Sequence, residues 1–332
     1  MRAWVVAEPG PIGTGPLRLT EREIPAPALG QLLIKVRACA VCRTDLHLAE
    51  GDLAPKAPGV SPGHEVVGEV VQAGEGTSRF TVGDRVGVAW LAGTCGECRF
   101  CLSGRENLCN RSEYTGWDVP GGYAEYVVAA DAYVHALPAG WPDADAAPLL
   151  CAGVIGYRAL RRSGLPPGGR LGIYGFGGSA HLAAQVAIAE GASVHVFTRS
   201  ERARRLAIEL GAASAQDPGQ QPAPALDSAI IFAPAGELVP VALAALDRGG
   251  TLAIAGIYLS AIPSLDYDRH LFGEREVRSV TANTRADATE FLALAGLLKL
   301  QVTTTPYPLA DAARALEDLA AGRVRGAAVL MA

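Results

Sequence analysis

The spacing of apolar residues divides this chain into two regions with different periodicities. Over roughly the first 150 residues, short runs rich in β-branched residues stand between glycines, prolines and other turn-forming residues, as at 32–36, 65–71 and 84–88. Short strands at such spacing are typical of sandwiches and barrels. The pattern therefore predicts a compact, barrel-like β domain in this part of the chain.

From about Pro148 the pattern changes to helices that alternate with continuous apolar strands. A helical period covers 149–162 and ends at Gly164 and the Pro-Pro-Gly-Gly turn that follows it. The predicted strands are 170–174, 193–198, 228–232 and 251–255, and the helices between them are 179–190, 201–210 and 237–246. Apolar strands between helices indicate a parallel sheet buried on both faces, so this region belongs to the α/β class.

The chain is long enough for two domains, and its charge argues against a nucleic-acid partner. Its 332 residues, of which 49% are apolar, can bury two cores. The 29 basic and 34 acidic residues give a net charge of −5, without the basic cluster that nucleic-acid binding requires. Two further helices at 286–299 and 309–321 could complete either domain.

The cysteine content favours metal binding over disulfide bonds. The sequence has no signal-peptide core and no apolar run long enough for a bilayer, so we expect a cytoplasmic protein without a membrane partner. The cytoplasm keeps thiols reduced. Seven cysteines in such a protein therefore point to metal sites or catalysis.

Four of these cysteines form a compact motif, C-x2-C-x2-C-x7-C. They are Cys95, Cys98, Cys101 and Cys109. Four thiolates within so short a segment can surround one tetrahedral ion with no position left open, so we expect a structural zinc. An iron–sulfur cluster and unrelated buried thiols are the alternatives.

Cys42, His64 and Cys151 are candidates for a second metal site, with Glu65 beside them. Two thiolates and one imidazole leave a fourth coordination position for water or substrate, which is the pattern of a catalytic zinc. Asp45 or Glu65 could hold the imidazole and fix its tautomer. Each residue alone could equally be a packed core residue, and Cys39 is interpreted as a buried, inert thiol.

A glycine-rich segment follows the first strand of the α/β region and predicts a dinucleotide site. The residues are Gly175, Phe176, Gly177, Gly178 and Ser179, and a helix follows. Between a strand and a helix, such a segment brings backbone N–H groups and the positive end of the helix dipole to a pyrophosphate.

The end of the second strand of this region indicates which nicotinamide cofactor is preferred. NAD-binding domains place an acidic residue there to bind the ribose hydroxyls. Here the residues are Thr198, Arg199 and Ser200, which could bind a 2′-phosphate instead. We therefore expect NADP(H) over NAD(H), although Glu201 keeps NAD(H) open.

Along its whole length the chain resembles the zinc-containing medium-chain dehydrogenase/reductases, close to the cinnamyl alcohol dehydrogenase group. The matching motifs are Cys42-x-Thr44-Asp45-x-His47, Gly63-His64-Glu65, the four-cysteine segment, Cys151-Ala152-Gly153 and Gly175-x-Gly177-Gly178. The resemblance implies a GroES-like β-barrel catalytic domain at 1–150 and 285–332, and a Rossmann nucleotide-binding domain at 151–284. It also implies a homodimer or homotetramer, formed partly by joining sheet edges of the cofactor domains.

The resemblance further implies a zinc-dependent alcohol dehydrogenase with two zinc ions per chain. In the family pattern Thr44 accepts the proton of the alcohol and His47 delivers it to solvent. Ile257, after a predicted strand, could reach the nicotinamide region. Trp90 and Trp117 could narrow a pocket for small primary alcohols or aldehydes, aliphatic or aromatic, and each could equally be a packed core residue.

Two segments depart from the family pattern. Val154-Ile155 stands where a threonine often lies near the nicotinamide. Gly326-Ala327 stands where an arginine often approaches the pyrophosphate, with Arg325 just before it. These departures concern cofactor contacts rather than the class of reaction.

Three other functions agree less well with these motifs. A zinc-free quinone or enoyl reductase of the same fold needs neither cysteine set. A zinc-ribbon nucleic-acid-binding protein predicts a basic surface and leaves the glycine-rich segment unexplained. An inactive structural protein of this fold would not need Thr44 and His47.

Overall fold

The computed structural model describes residues 1–220, 225–256 and 259–332. It divides into two compact units. The first unit comprises Met1–Cys151, Ala282–Leu297 and Val302–Ala332, and the second comprises Ala152–Thr281 and Leu298–Gln301. The first unit is thus assembled from segments on both sides of the second.

The secondary structure of the described residues, in chain order, is as follows. The strands are Arg2–Val6 (β1), Leu17–Glu21 (β2), Gln31–Val41 (β3), Val66–Ala73 (β4), Arg85–Val88 (β5), Leu91–Gly93 (β6), Glu113–Tyr114 (β7), Tyr126–Ala130 (β8), Val134–Ala136 (β9), Arg170–Tyr174 (β10), Ser193–Phe197 (β11), Ser214–Gln216 (β12), Leu226–Ile231 (β13), Leu246–Ile254 (β14), Glu276–Ser279 (β15), Thr304–Pro308 (β16) and Ala327–Met331 (β17). The α-helices are Arg43–Glu50 (α1), Arg99–Leu102 (α2), Asp143–Ala146 (α3), Ala152–Ser163 (α4), Gly178–Ala189 (α5), Glu201–Glu209 (α6), Leu238–Ala245 (α7), Tyr267–His270 (α8), Arg285–Leu298 (α9) and Ala312–Ala320 (α10).

The first unit is organised around the long strand β3. Among the described strands of its main sheet the order is β16-β17-β3-β4-β5-β9, and β8 also pairs with β3. The pairings of β3 with β4, β8 and β17 are all antiparallel. One edge of β3 is shared, because β8 pairs with its first half and β17 with its second half. The core of this unit is lined by apolar residues from all these strands, including Ile34, Val66, Val86, Val134 and Leu330.

The second unit contains a parallel sheet with the order β12-β11-β10-β13-β14-β15 in the described residues. Numbered from β10, this is the order 3-2-1-4-5-6 of the Rossmann fold. Its central strands are buried on both faces, which explains their continuous apolar sequence. The predicted α/β class is confirmed, and so are the four predicted strands.

Two strands of this sheet were missed by the sequence analysis. They are β12 and β15, which occupy its two edges. Both are short, and none of their residues is fully buried. An edge strand that stays partly in solvent needs no apolar run, so periodicity gives little signal for it.

The predicted helix at 149–162 is interrupted. A 3-10 helix covers Ala147–Leu150, and α4 begins only at Ala152. Cys151 lies between them with φ −125° and ψ −69°, outside the helical region. The apolar period continues through this break because both segments are buried, so the sequence pattern could not reveal it.

The two predicted helices at 286–299 and 309–321 are confirmed as α9 and α10. Within the described ranges, no helix combines the length and the apolar character that a bilayer crossing would need.

Candidate functional site

The four-cysteine motif folds into one cluster in the first unit. The candidate ligand atoms of Cys95, Cys98, Cys101 and Cys109 all lie within 4.8 Å of one another. Sγ–Sγ distances are 3.8 Å for Cys95–Cys101, 3.5 Å for Cys98–Cys101 and 3.5 Å for Cys95–Cys109. A tetrahedral ion with Zn–S bonds of about 2.3 Å requires sulfurs about 3.8 Å apart. The cluster therefore has the size of a closed zinc site.

Backbone and hydroxyl donors around this cluster favour thiolates. The backbone N–H groups of Glu97 and Cys98 lower the pKa of Cys95 to about 6. The Thr94 hydroxyl lies 3.5 Å from Cys101 Sγ, and this contact lowers the pKa of Cys101. Because zinc binds the thiolate form, these two lowered pKa values favour metal binding at Cys95 and Cys101.

A second cluster brings together Cys42, His64, Glu65 and Cys151. Their candidate ligand atoms also lie within 4.8 Å of one another, and the Sγ atoms of Cys42 and Cys151 are 3.9 Å apart. Cys42 directly precedes α1, His64 and Glu65 directly precede β4, and Cys151 occupies the break before α4. All four residues belong to the first unit, although three separate segments supply them.

Asp45 connects three of the segments around this second cluster. Its Oδ2 accepts hydrogen bonds from the backbone N–H of Cys42 (2.8 Å) and from the Tyr123 hydroxyl (3.2 Å). Its Oδ1 accepts from the backbone N–H of Gly63 (3.1 Å) and lies 3.3 Å from Nδ1 of His64, without the alignment of a good hydrogen bond. Asp45 therefore fixes the start of α1 and lies beside the imidazole of His64. Tyr123 was not identified from the sequence.

The residue before His64 must be glycine. Gly63 has φ +98°, and a Cβ there would lie 2.5 Å from Tyr123 Cδ1 and 2.8 Å from Cys39 Sγ. Cys39 itself is fully buried, and burial raises the pKa of its thiol. Glycine at position 63 allows Tyr123 and Cys39 to pack closely against the backbone and allows the chain to turn sharply. This turn places the side chain of His64 in the cluster.

The ionisable groups of the second cluster shift one another's pKa values. The contact with Cys151 lowers the pKa of Cys42, and His64 adds to this effect. Burial raises the pKa of Glu65. For His64, burial acts to lower the pKa, but Asp45 and Cys42 outweigh it and the pKa is raised. Two cysteine sulfurs, an imidazole and a carboxyl group at this spacing are donor types that zinc binds, and a cation would favour their deprotonated forms.

The two predicted relay residues both lie on α1, one helical turn apart. Thr44 is buried, and its Oγ1 lies 3.7 Å from Cys42 Sγ. His47 Nδ1 lies 2.9 Å from Oδ2 of Asp52, a residue that the sequence analysis did not identify. Residues three apart face the same side of a helix, so Thr44 and His47 are neighbours on one face.

An aromatic stack extends outward from His64. The Trp90 ring contacts His64 edge to face, with centroids 4.8 Å apart. It stacks on Tyr114 at 4.8 Å and on Trp117 at 6.1 Å. Lys56 Nζ lies 4.0 Å from the centroid of the Trp117 ring. The two tryptophans considered from the sequence thus form one apolar wall beside the cluster, together with Tyr114.

The glycine-rich segment connects β10 to α5 in the second unit. Gly175 has φ +85°, and a Cβ there would lie 2.9 Å from the backbone nitrogen of Ala233. Gly177 precedes α5 and is exposed, with no side chain capping the helix. Phe176 and Ser179 are half-buried, and Gly178 is exposed as the first residue of the helix. The free N–H groups of this helix end can therefore receive an anion.

The end of β11 carries no acidic side chain. Thr198 is half-buried, whereas Arg199 and Ser200 are exposed, and Ser200 caps α6 by accepting from the backbone N–H of Ala203 at 3.2 Å. Glu201, the acidic residue that kept NAD(H) open, has its Oε1 2.8 Å from Nη1 of Arg205. Ile257, the other predicted cofactor contact, lies outside the described residues.

The departure at Gly326 has a steric cause. This glycine has φ +74°, and a Cβ there would lie 1.9 Å from the carbonyl oxygen of Thr303. An arginine cannot stand at this position without moving the backbone. Arg325 is exposed, and its carbonyl oxygen accepts from Thr305 at 2.8 Å.

Two family models match the chain. The alcohol dehydrogenase GroES-like domain matches residues 28–139, and the zinc-binding dehydrogenase model matches residues 178–296. The first match lies in the β unit, and most of the second lies in the unit with the Rossmann strand order. The predicted combination of GroES-like and Rossmann domains is therefore confirmed.

Individual proteins give the same result. A Mycobacterium tuberculosis protein named "Probable alcohol dehydrogenase AdhA" is 59% identical over 336 residues, covering 100% of this chain and 97% of the relative. A cinnamyl alcohol dehydrogenase from Sorghum bicolor superposes with a TM-score of 0.90 at 28% identity, covering 99% and 97% of the two chains. The cinnamyl alcohol dehydrogenase of Helicobacter pylori, solved with NADP(H), gives 0.88 at 26% identity, covering 100% and 99%.

The resemblance inferred from the motifs is thus confirmed. The chain belongs to the zinc-binding alcohol dehydrogenase family of medium-chain dehydrogenases, whose members are enzymes that use a nicotinamide cofactor.

Proposed function

We propose that this protein transfers a hydride reversibly between a nicotinamide cofactor and a small primary alcohol or its aldehyde. The observation that supports this most directly is the partly buried cluster of Cys42, His64, Glu65 and Cys151, whose candidate ligand atoms lie within 4.8 Å of one another. Two thiolates and one imidazole are the donor set of catalytic zinc in this class of enzyme.

Two zinc ions per chain fit the two clusters. Cys42, His64 and Cys151 would hold the catalytic ion, with Glu65 beside it. The second ion would be structural, and its ligands would be Cys95, Cys98, Cys101 and Cys109. The 3.9 Å between Cys42 Sγ and Cys151 Sγ fits the roughly 3.8 Å edge of a zinc–sulfur tetrahedron, and it is far too long for a disulfide. With Nδ1 of His64 facing Asp45, its Nε2 is the nitrogen that would bind the metal.

The proton path runs along α1. When bound, zinc supplies a Lewis acid that polarises the oxygen of the alcohol or aldehyde. The Thr44 hydroxyl, beside Cys42, accepts the proton of the substrate hydroxyl and passes on its own. His47, half-buried on the same helix face, takes up the proton and releases it to solvent, a task suited to an imidazole.

The second unit would hold the cofactor, preferably NADP(H). The backbone from Gly175 to Ser179 would bind the pyrophosphate at the start of α5. Thr198, Arg199 and Ser200 would bind the 2′-phosphate, which a guanidinium attracts and a carboxylate repels. Glu201, the acidic residue that follows them in sequence, forms an exposed ion pair with Arg205.

The substrate preference is proposed from the aromatic wall. Trp90 contacts the ring of His64, so it would border the space where a substrate oxygen meets the metal. Aromatic rings offer apolar surface to the substrate carbon chain. Small aliphatic or aromatic primary alcohols fit such a wall.

We also propose that the protein is a homodimer or homotetramer. Strand β15 lies at the end of the parallel sheet, and within the described residues it pairs only with β14. Its Val277 is 39% exposed. Pairing two such edges would remove an exposed strand from solvent, and sedimentation equilibrium would measure the resulting mass.

The central test combines metal analysis with turnover. The purified protein should contain two zinc ions per chain and should change cofactor absorbance with a panel of alcohols and aldehydes. Cys42→Ala should lose one zinc and nearly all turnover, whereas Cys39→Ala should keep both zinc ions. Wild-type turnover in Cys42→Ala, or a fully metallated protein that leaves the whole panel untouched, would refute the proposed function.

A further inference from the structure

The ring of Trp117 is held on its face and on its edge by a neighbouring segment of the chain. The ammonium Nζ of Lys56 lies 4.0 Å from the centroid of this ring, a distance typical of a cation–π contact. The indole Nε1–H donates to the carbonyl oxygen of Ala54 at 2.9 Å. Both contacts come from residues 54–56, a segment outside helices and strands that leads from α1 toward His64. These contacts favour one orientation of a half-buried indole.

Lys56 also forms an ion pair with Asp118. Its Nζ lies 2.7 Å from Oδ1 of Asp118. The other carboxylate oxygen, Oδ2, accepts from the backbone N–H of Tyr114 at 3.0 Å. The Asp118 side chain is 14% exposed, whereas that of Lys56 is 47% exposed. A carboxylate with so little access to water depends on such partners, so the ion pair fixes the ammonium group above the Trp117 ring.

The ion pair connects residues 54–56 to the aromatic wall formed by Trp90, Tyr114 and Trp117. Trp117 and Asp118 lie in the turn after β7, where their backbone N–H groups donate to the carbonyl oxygen of Tyr114 at 3.3 and 2.9 Å. Trp90 directly precedes β6, which pairs with β7. The pairing of β6 with β7 thus supports Trp90 and Tyr114, whereas the contacts with residues 54–56 support the side chain of Trp117.

Trp117 lies one ring farther along this wall than Trp90. The ring centroids of His64 and Trp90 are 4.8 Å apart, and those of Trp90 and Trp117 are 6.1 Å apart. A two-carbon alcohol whose oxygen lies at the proposed metal site would end beside Trp90. A longer alcohol would extend to Trp117 and bury apolar surface against it.

We propose that Lys56 is a positioning residue that fixes Trp117 through its ion pair with Asp118 and thereby sets the affinity for longer alcohols. The proposal rests on the proposed function, in which the aromatic wall borders the substrate. Without the ammonium group, the Trp117 indole samples several rotamers, and a long alcohol has to order it on binding. Ethanol does not incur this cost, because it does not reach the ring.

The first measurement is the near-ultraviolet circular dichroism of the zinc-loaded protein. Aromatic rings in one fixed arrangement contribute to this spectrum, and the difference between the wild type and Trp117→Phe defines the contribution of Trp117. Lys56→Met should lose most of this difference signal. Lys56→Arg keeps a cation that can pair with a carboxylate and stack on a ring, so it should restore most of the signal. The matched control, Lys35→Met, removes an exposed lysine from β3 of the same unit and should keep the wild-type spectrum.

The second measurement is steady-state kinetics with alcohols of different length. Lys56→Met should raise KM for 1-hexanol about three- to tenfold and keep kcat within about twofold, because it removes binding that the ground state and the transition state share. KM for ethanol should stay within about twofold. Asp118→Asn removes the charge but can still accept from Tyr114, so it should give the same result. In the double variant the two effects should not add, because both substitutions break one interaction. Lys35→Met should leave the kinetics unchanged.

The outcomes separate this proposal from the proposed function. An unchanged difference signal in Lys56→Met, or an unchanged KM for 1-hexanol, overturns the role of Lys56. If KM for ethanol rises as much as KM for 1-hexanol, the substitution disturbs the whole site and the proposal is wrong. If the wild-type enzyme oxidises no alcohol, the proposed function fails, while the spectra still report whether Lys56 fixes Trp117.

Discussion

The indole of Trp90 meets the imidazole of His64 edge to face, with ring centroids 4.8 Å apart. Trp90→Ala would therefore open space directly beside the proposed metal site. We expect kcat/KM for a bulky secondary alcohol to rise at least tenfold relative to that for ethanol, because a pocket contact of this size changes selectivity by roughly 1–3 kcal/mol. Kinetics on both substrates measure the ratio. Trp141→Ala, which removes a half-buried indole elsewhere in the first unit, should leave the ratio unchanged.

Loss of the four-cysteine cluster should affect stability more than chemistry. Cys101→Ser should lower the zinc content from two ions to one and lower Tm by about 5–10 °C, because metal binding to such a loop is part of its folding free energy. Turnover at low temperature should persist. Metal analysis and calorimetry on the same samples make the comparison. An unchanged Tm, or loss of both zinc ions, would contradict a separate structural site.

Cofactor selectivity should depend on the end of β11. Thr198→Asp places a carboxylate where the 2′-phosphate is expected. The value of kcat/KM for NADP⁺ should therefore fall by at least tenfold, and kcat/KM for NAD⁺ should fall less. Arg199→Ala should also weaken the binding of NADP⁺ more than that of NAD⁺. Arg248→Ala, an exposed arginine far along the chain, should leave the preference unchanged. A wild-type enzyme that already favours NAD⁺ tenfold would reverse the proposed preference.

His135 should make the stability of the protein depend on pH below neutrality. Burial, together with the charges of Arg79 and Arg285, lowers the pKa of His135 to about 4. The ordinary value is 6.5, so the unfolded chain binds more protons between pH 4 and 6.5. The protonation of His135 therefore leaves the free energy of unfolding unchanged above pH 6.5 and lowers it as the pH falls from 6.5 to 4.

Replacing the imidazole should remove this dependence. Between pH 7 and pH 5, His135→Gln should gain about 2 kcal/mol in unfolding free energy relative to the wild type. Denaturant titrations at several pH values give the difference. Protonation of zinc ligands is common to both proteins and cancels. Parallel curves for the two proteins would show that His135 does not titrate in this way.

Much of the second unit could be predicted because its elements depend on local sequence. Strands such as β10 and β13 are buried on both faces and read as apolar runs, and the glycines after β10 mark a turn that only glycine can make. The edge strands β12 and β15 have no such pattern, because their residues remain partly exposed to solvent.

The candidate site was predictable in composition but not in assembly. Residues 42–47 include a thiol, a hydroxyl, a carboxylate and an imidazole, more reactive groups than core packing alone explains. Nothing in the local sequence, however, indicates that Cys151 lies beside them. Its position depends on a helix break that apolar periodicity does not report. Asp52 and Tyr123 were missed for a similar reason, since a lone Asp after a helix or a Tyr in a loop carries no signal until its partner is known.

The shared edge of β3 has a consequence for synthesis on the ribosome. The second unit is nearly continuous in sequence, so it can fold as soon as its own residues emerge. The first unit has to wait, because the strand that completes its sheet, β17, is translated after the whole second unit. At a translation rate of roughly 5–20 residues per second, tens of seconds pass between the synthesis of β3 and that of β17. During this time the cysteine thiols and His64 are already part of the nascent chain, but half of one edge of β3 lacks its partner strand. Chaperones and free zinc would both encounter the nascent chain during this interval.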